Sequence, residues 1–130
     1  MSEPREKLKT LYEEWARGDF SGSDIFDPEM EMESIGLAEP MHAESYAEFV
    51  ELMREWLSAW GKPLTIDAEE MIESGDRILV LVRWKGRGKG SGVEMESGGG
   101  HLWTFRDGMV VRYEVYRDQD EARVALERPG

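Results

Sequence analysis

The stretch that decides the fold reads "GGGHLWTFRDGMVVRYEVYRD" and spans residues 98–118. Alternation along "HLWTFR" places His101, Trp103 and Phe105 on one face of a strand and the intervening residues on the other. The pair Asp107 and Gly108 is a strong signal for a two-residue hairpin turn. Because a second alternating run follows the turn, the stretch predicts two antiparallel strands.

The preceding run, "RILVLVRWKGR" over 77–87, extends this sheet. Its first half is apolar at consecutive positions, which is typical of a central strand covered on both faces. This arm is shorter than its return arm, residues 93–106, and extra residues in one arm of a hairpin must bulge. We therefore predict a bulge at Gly98 to Gly100 that aims His101.

Three helices are predicted from apolar spacing. The first runs from Pro4 to Gly18, and its stripe is formed by Leu8, Leu11, Tyr12 and Trp15. The second and longest runs from Ala43 to Trp60 and ends before Gly61 and Pro63. A short third helix covers "QDEARVALE", residues 119–127.

Further strands lie between the helices. "MEMES", residues 30–34, alternates, with Ser34 on the buried methionine face and Glu31 and Glu33 in solvent. "DFSGSDIFDP" reads as a turn or loop closed by Pro28, and "KGSG", residues 89–92, as a hairpin turn. The order predicts one α+β domain over residues 1–130, with a strongly curved antiparallel sheet wrapped around the long second helix.

The composition limits the possible partners. The net charge is −12 and cysteine is absent. An acidic surface repels phosphate backbones and anionic membranes, so we expect no nucleic-acid or membrane partner. The first residues lack the apolar core of a secretion signal, which predicts a cytoplasmic location. The two histidines lie far apart and "GRGKGSG" lacks a strand–loop–helix context, so neither a metal nor a cofactor is expected.

The ordered set of segments resembles the SnoaL-like, polyketide cyclase-like branch of the nuclear transport factor 2-like superfamily. The likeness is carried by "LYEEWARGDF", "IFDPEMEMES", "SGDRILVLVRWKGRGKGSGVEMES" and "HLWTFRDGMVVRYEVYRDQDEA", and it runs from about Leu11 to Ala122. The resemblance implies a cone-shaped fold with an apolar cavity at its open end, and frequent homodimers. It leaves the reaction open, because this fold hosts isomerases, cyclases, dehydratases, epoxide hydrolases and binding proteins.

The ketosteroid isomerase relatives provide a residue-by-residue comparison. Their base matches Ser34, which cannot act as a base unaided, and their acidic donor matches His101. Their tyrosine donor falls at Leu11 or Tyr12 by ungapped counting. The aspartate–arginine–aspartate set of limonene epoxide hydrolases is not recognisable here.

These observations nominate His101 and Tyr12 as catalytic residues. The alternative for His101 is a structural histidine whose ring is satisfied by a backbone carbonyl or a tyrosine. The residues expected to line a ligand cavity, or else to fill the core, are Trp15, Met32, Phe49, Met53, Trp56, Trp103 and Tyr113. His42 is expected to face solvent.

Three functions fit the sequence. The first is an isomerase, cyclase or lyase that moves a proton on a small apolar carbonyl-bearing molecule with His101 and a tyrosine. The second is a non-catalytic binder of such molecules, and the third is a dimerisation module whose cavity is packed shut. A homodimer is expected in any case, because one helical layer covers one face of the sheet and leaves Arg112, Glu114 and Tyr116 on the other.

Overall fold

The structure of the chain, a computed structural model, describes residues 3–17, 25–35, 41–58, 60–88 and 94–127. The elements in these ranges are α1 (Glu3–Ala16), β1 (Phe26–Ile35), β2 (His42–Ala43), α2 (Tyr46–Ser58), β3 (Trp60–Ser74), β4 (Arg77–Gly88), β5 (Glu94–Arg106), β6 (Met109–Tyr116) and α3 (Gln119–Glu127). The strands form one open, curved sheet in the order β2-β1-β6-β5-β4-β3. The predicted α+β class is confirmed, although β1 pairs with β6 in parallel and not antiparallel.

The hairpins follow the predicted turns. Asp107 and Gly108, between β5 and β6, have φ angles of 52° and 79°, which a two-residue turn of this kind needs. Gly75, between β3 and β4, has a φ of 61°. The predicted "KGSG" turn lies outside the described residues, as do residues 18–24 and 36–40.

Both faces of β4 are covered within the chain. Ile78, Val80 and Val82 pack into a core with α1 and α2, whereas Leu79 and Leu81 pack under α3. This coverage confirms the prediction of a central strand buried on both sides. The first of these two sides, which we call the inner face, holds the larger core.

One prediction about the helical layers is wrong, namely that helices cover a single face of the sheet. α1 supplies four buried side chains to the inner core, whereas Phe49 is the α2 residue buried there among those described, so α1 and α2 share the inner face. α3 covers the opposite face and buries Tyr116 in its own chain. Helices therefore cover both faces of the sheet. The argument for a dimer that rested on an uncovered face is wrong.

The predicted bulge at Gly98 to Gly100 is also wrong. Pairing between β4 and β5 is continuous from Arg77 with Thr104 to Arg87 with Glu94. The irregularity in β5 lies between Thr104 and Phe105, where it pairs with β6. Gly100 instead permits close packing of α3, because a Cβ added to it would lie 2.4 Å from the Ala122 Cβ.

Boundaries of two other elements differ from the predictions. Pro28 lies inside β1 and does not close a loop; it is tolerated because pairing with β6 is interrupted between Phe26 and Glu31.

α2 begins at Tyr46 and not at Ala43, because the Ser45 hydroxyl caps the helix by accepting the Glu48 amide hydrogen at 3.2 Å. Its end at Ser58 precedes Trp60, which starts β3.

Replacing Gly100 with Ala should lower the free energy of unfolding by about 1 to 3 kcal/mol, because the added methyl overpacks the contact with α3. Gly98→Ala is the matched control, since its Cβ would meet its nearest atom at 3.4 Å, an ordinary contact distance. Urea unfolding of both variants measures the difference. Equal stability of the two variants would contradict this role of Gly100.

Candidate functional site

His101 is held at the centre of the sheet. It lies on β5, opposite Val80 of β4 and Val115 of β6. Its side chain points to the inner face with Trp103 and Phe105, as the alternation predicted, and the residue is 7% exposed. Histidine is rarely placed so deep without a polar partner, so its hydrogen bonds decide what it can do.

The partner of His101 comes from α1. The Tyr12 hydroxyl lies 2.6 Å from His101 Nδ1, and Trp103 Nε1 lies 2.9 Å from the same hydroxyl. An indole N–H is only a donor, so the Tyr12 oxygen accepts from Trp103. A chain of two hydrogen bonds thus joins Tyr12 of α1 to two buried side chains of β5 that lie 89 and 91 residues further along the sequence.

Burial sets the protonation states of this chain. Desolvation lowers the pKa of His101 from 6.5 to about 3. Desolvation, reinforced by the nearby Tyr113, raises the pKa of Tyr12 well above its usual value, although the hydrogen bond from Trp103 opposes this shift. Both groups are therefore neutral at pH 7.

Aromatic rings enclose His101. Tyr113 stacks on Trp103 with ring centroids 4.0 Å apart, and meets the His101 ring edge-on at 5.2 Å. Trp15 meets the same imidazole at 6.2 Å. Desolvation also raises the pKa of Tyr113. The surroundings are apolar apart from the hydroxyl groups, which accounts for the large pKa shift of His101.

The residues nominated as cavity lining divide into two groups. Five are at most 4% exposed and belong to the inner core: Trp15, Met32, Phe49, Trp103 and Tyr113. Met53 and Trp56 of α2 are partly buried against that core, and Trp56 meets Trp84 edge-on. Three of the five, Trp15, Trp103 and Tyr113, contact His101, whereas ligand binding by any of the seven remains a prediction.

A cleft of about 530 Å³ lies between α1 and β3 and reaches Tyr12. Its apolar lining includes Ala16, Ala68 and Met71. The charged residues around it are Arg5, Glu6, Lys9, Glu13, Asp67, Glu69 and Glu70. Five carboxylates against two cations give the cleft a negative field, which disfavours anionic molecules.

The other polar residues considered from the sequence have structural partners. The Ser34 hydroxyl accepts a hydrogen bond from the Met41 amide at 2.6 Å. Glu31 and Glu33 pair with Arg112 on the surface. His42 is exposed beside Glu44, as predicted. Within the described ranges, histidine, aspartate and glutamate form no group of three that could hold a metal.

Sequence reasoning missed the hydrogen bond from Trp103 to Tyr12. Trp103 was placed on the correct face, but an indole in an alternating run indicates burial without indicating its partner. Two features of the sequence could have indicated this hydrogen bond. A buried indole N–H needs an acceptor, and Tyr12 carries a hydroxyl on the apolar stripe of α1. The resemblance left Leu11 or Tyr12 open, and the structure brings Tyr12 to His101.

The arrangement matches known cone folds with helices on an open curved sheet. A nuclear transport factor 2-like protein of unknown function from Burkholderia pseudomallei superposes with a TM-score of 0.75 at 23% identity, covering 98% of this chain and 100% of that one. TerC, co-crystallised with polyporic acid, gives 0.74 at 22% identity, covering 98% and 100%. A protein from Jannaschia sp. CCS1, described as a SnoaL-like polyketide cyclase, gives 0.76 at 17%, covering 98% and 94%. These likenesses define the fold class as nuclear transport factor 2-like.

Sequence identifies the family within that class. The SnoaL-like domain family matches residues 8–113, and the chain belongs to this family. No curated protein shows significant similarity to the chain. No helix in the described ranges has the length and apolar character needed to cross a membrane.

Proposed function

We propose that the protein acts on a small apolar carbonyl-bearing molecule and that His101, backed by Tyr12, supplies the polar contact to the carbonyl oxygen. The observation that carries this proposal is the Trp103–Tyr12–His101 hydrogen-bond chain in an otherwise apolar core. A core that needed only packing would be more stable with apolar residues at these positions. The polar chain therefore favours a site that has a chemical role.

The chemistry proposed is that of a cofactor-independent isomerase, cyclase or lyase. When a base such as water removes a proton from the neighbouring carbon, negative charge builds up on the carbonyl oxygen, and a neutral imidazole N–H can stabilise that charge. Nε2 can give its proton to the oxygen as Nδ1 takes the Tyr12 proton, and the relay runs back when the oxygen becomes a carbonyl again, so that Tyr12 regains its proton. The names of the relatives, which include a SnoaL-like polyketide cyclase and TerC with polyporic acid, support a small organic ligand.

A pair of matched compounds tests the proposal. The ketone 1-tetralone should bind and perturb the NMR signals of the His101 ring and the Trp103 indole, whereas the hydrocarbon tetralin, which lacks the carbonyl, should bind more weakly. One good hydrogen bond contributes about 0.5 to 1.5 kcal/mol, which corresponds to about a 2- to 10-fold difference in affinity. If a series of such ketones leaves His101 unperturbed, or binds no better than the hydrocarbons, the carbonyl site is refuted.

A non-catalytic module with a packed interior is the second candidate. It is favoured by the dense packing of Trp15, Met32, Phe49, Trp103 and Tyr113, none of which is more than 4% exposed. This candidate expects tetralone and tetralin to bind equally weakly. The same titration therefore separates the two functions.

We also propose that two copies associate through the outer face beside α3. Val124 is 51% exposed there, and it lines a cleft together with Ile35 and Tyr116. Sedimentation at about 50 µM should show a dimer, and Val124→Asp should dissociate it while leaving the fold intact, because Val124 is exposed in the single chain. A monomer at that concentration would rule out a stable dimer.

A further inference from the structure

We propose that Tyr12 is a positioning residue, which fixes His101 in the tautomer that carries its proton on Nε2. The ligand then meets an N–H donor, and it must present an acceptor oxygen or nitrogen to that donor. This inference concerns the free protein and rests on the proposed function only for the identity of the ligand. It also removes Tyr12 from direct contact with the substrate, because its single proton is already used.

The direction of the hydrogen-bond chain follows from the donor and acceptor capacity of each group. Trp103 Nε1 can only donate, and it lies 2.9 Å from the Tyr12 oxygen. The Tyr12 hydroxyl has one proton to give, and His101 Nδ1 lies 2.6 Å away. If Nδ1 accepts that proton in a hydrogen bond, the proton of the neutral imidazole must be on Nε2.

The opposite tautomer leaves a buried donor unsatisfied. With the proton on Nδ1, the Tyr12 oxygen would accept from both Trp103 and His101. Its own hydroxyl proton would then have no acceptor among the described residues, in a side chain that is 3% exposed. An unsatisfied buried donor is unfavourable enough to set a tautomer ratio of about tenfold or more.

The other ring nitrogen is the group left for a ligand. In the described part of the chain, no residue forms a hydrogen bond with His101 Nε2, whereas Nδ1 is occupied. A carbonyl oxygen fits this donor, and an alkylammonium group does not, because it has no lone pair to offer. The Nε2 donor therefore favours ligands that carry an acceptor atom over cations, although the negative charge of the nearby cleft attracts cations.

Nitrogen NMR of the uniformly labelled full chain tests the assignment. At pH 7 we expect Nδ1 to show the shift of an unprotonated imidazole nitrogen and Nε2 that of a protonated one. In Tyr12→Phe the two shifts should move toward each other, as in an unconstrained histidine with mixed tautomers. Tyr113→Phe is the matched control, because Tyr113 also contacts His101 but has no hydrogen bond to it, and it should leave both shifts in place.

A measurement on the unmodified protein keeps the test decisive if Tyr12→Phe does not fold. A scalar coupling across the hydrogen bond should link the Tyr12 hydroxyl proton to His101 Nδ1. A protonated Nδ1 in the unmodified protein, or unchanged shifts in a folded Tyr12→Phe variant, would overturn the inference. Failure of the series of ketones to bind would instead refute the proposed function and leave the tautomer assignment standing.

Discussion

Replacing His101 with Gln should lower the rate of proton transfer on a bound ketone by about 10² to 10⁴, the usual contribution of a general acid or base. Gln offers an amide oxygen that can accept from Tyr12 and an N–H₂ that can still donate to the ligand. It cannot relay a proton between the two groups. The rate constant kcat should therefore fall far more than ligand affinity, and steady-state kinetics with a tetralone-type substrate measure both.

The control for this substitution is His42→Gln, which changes the other histidine of the chain. His42 lies on the surface beside Glu44, so its replacement should leave both kcat and affinity unchanged. A His101→Gln variant with undiminished kcat would eliminate His101 from the chemistry. If ligand affinity collapsed along with kcat, the amide would have failed to replace the imidazole as a donor.

The inner face of β5 could be predicted from the sequence because its cause is local. Because side chains alternate along residues 101–106, either the aromatic face or the opposite face of the strand is buried. Burying the aromatic face removes more apolar surface from water and is therefore favoured. The apolar stripe of α1 is predictable for the same reason. The contact between Tyr12 and His101 was not predictable, because two correctly assigned faces can still meet in several registers.

The role of the glycine triplet shows a different limit. Counting residues in the two hairpin arms predicted a bulge, but that count assumed that the strands begin and end together. In the structure β4 and β5 pair without a break. The surplus residues, Phe105 and Arg106, extend β5 beyond its pairing with β4 and pair with β6. The need for glycine comes from α3, which approaches Gly100 at the Ala122 Cβ. Such an approach from a helix that follows in the sequence has no local signal.

The same limit applies to the outer face. The alternation of β6 correctly sets Tyr116 on the face opposite Tyr113. Predicting what covers that face required the trajectory of α3 after β6, which has no local signal in the sequence. Tyr116 is consequently buried within its own chain, and the surface left for a partner is smaller than the sequence indicated.

Acid should destabilise the protein through His101 by several kcal/mol. Burial lowers the pKa of this imidazole from 6.5 to about 3, so between these values the unfolded chain binds a proton that the folded chain does not. Stability then rises with pH across this window: the contribution of neutral His101 is complete above pH 6.5 and is lost as the pH falls toward 3. The full window corresponds to a free energy on the order of 5 kcal/mol.

His101→Gln isolates this contribution, because the variant keeps the acidic residues of the chain and lacks only the titrating imidazole. Between pH 7 and pH 4, the unmodified protein should lose about 3 kcal/mol of unfolding free energy more than the variant does. Urea unfolding of both proteins at a series of pH values measures this double difference, in which the titration of the carboxylates cancels. Parallel stability curves would mean that His101 is not held neutral by burial. The hydrogen-bond chain from Trp103 through Tyr12 would then have to accommodate an imidazolium, a donor at both nitrogens, and the Tyr12 proton would lose its acceptor.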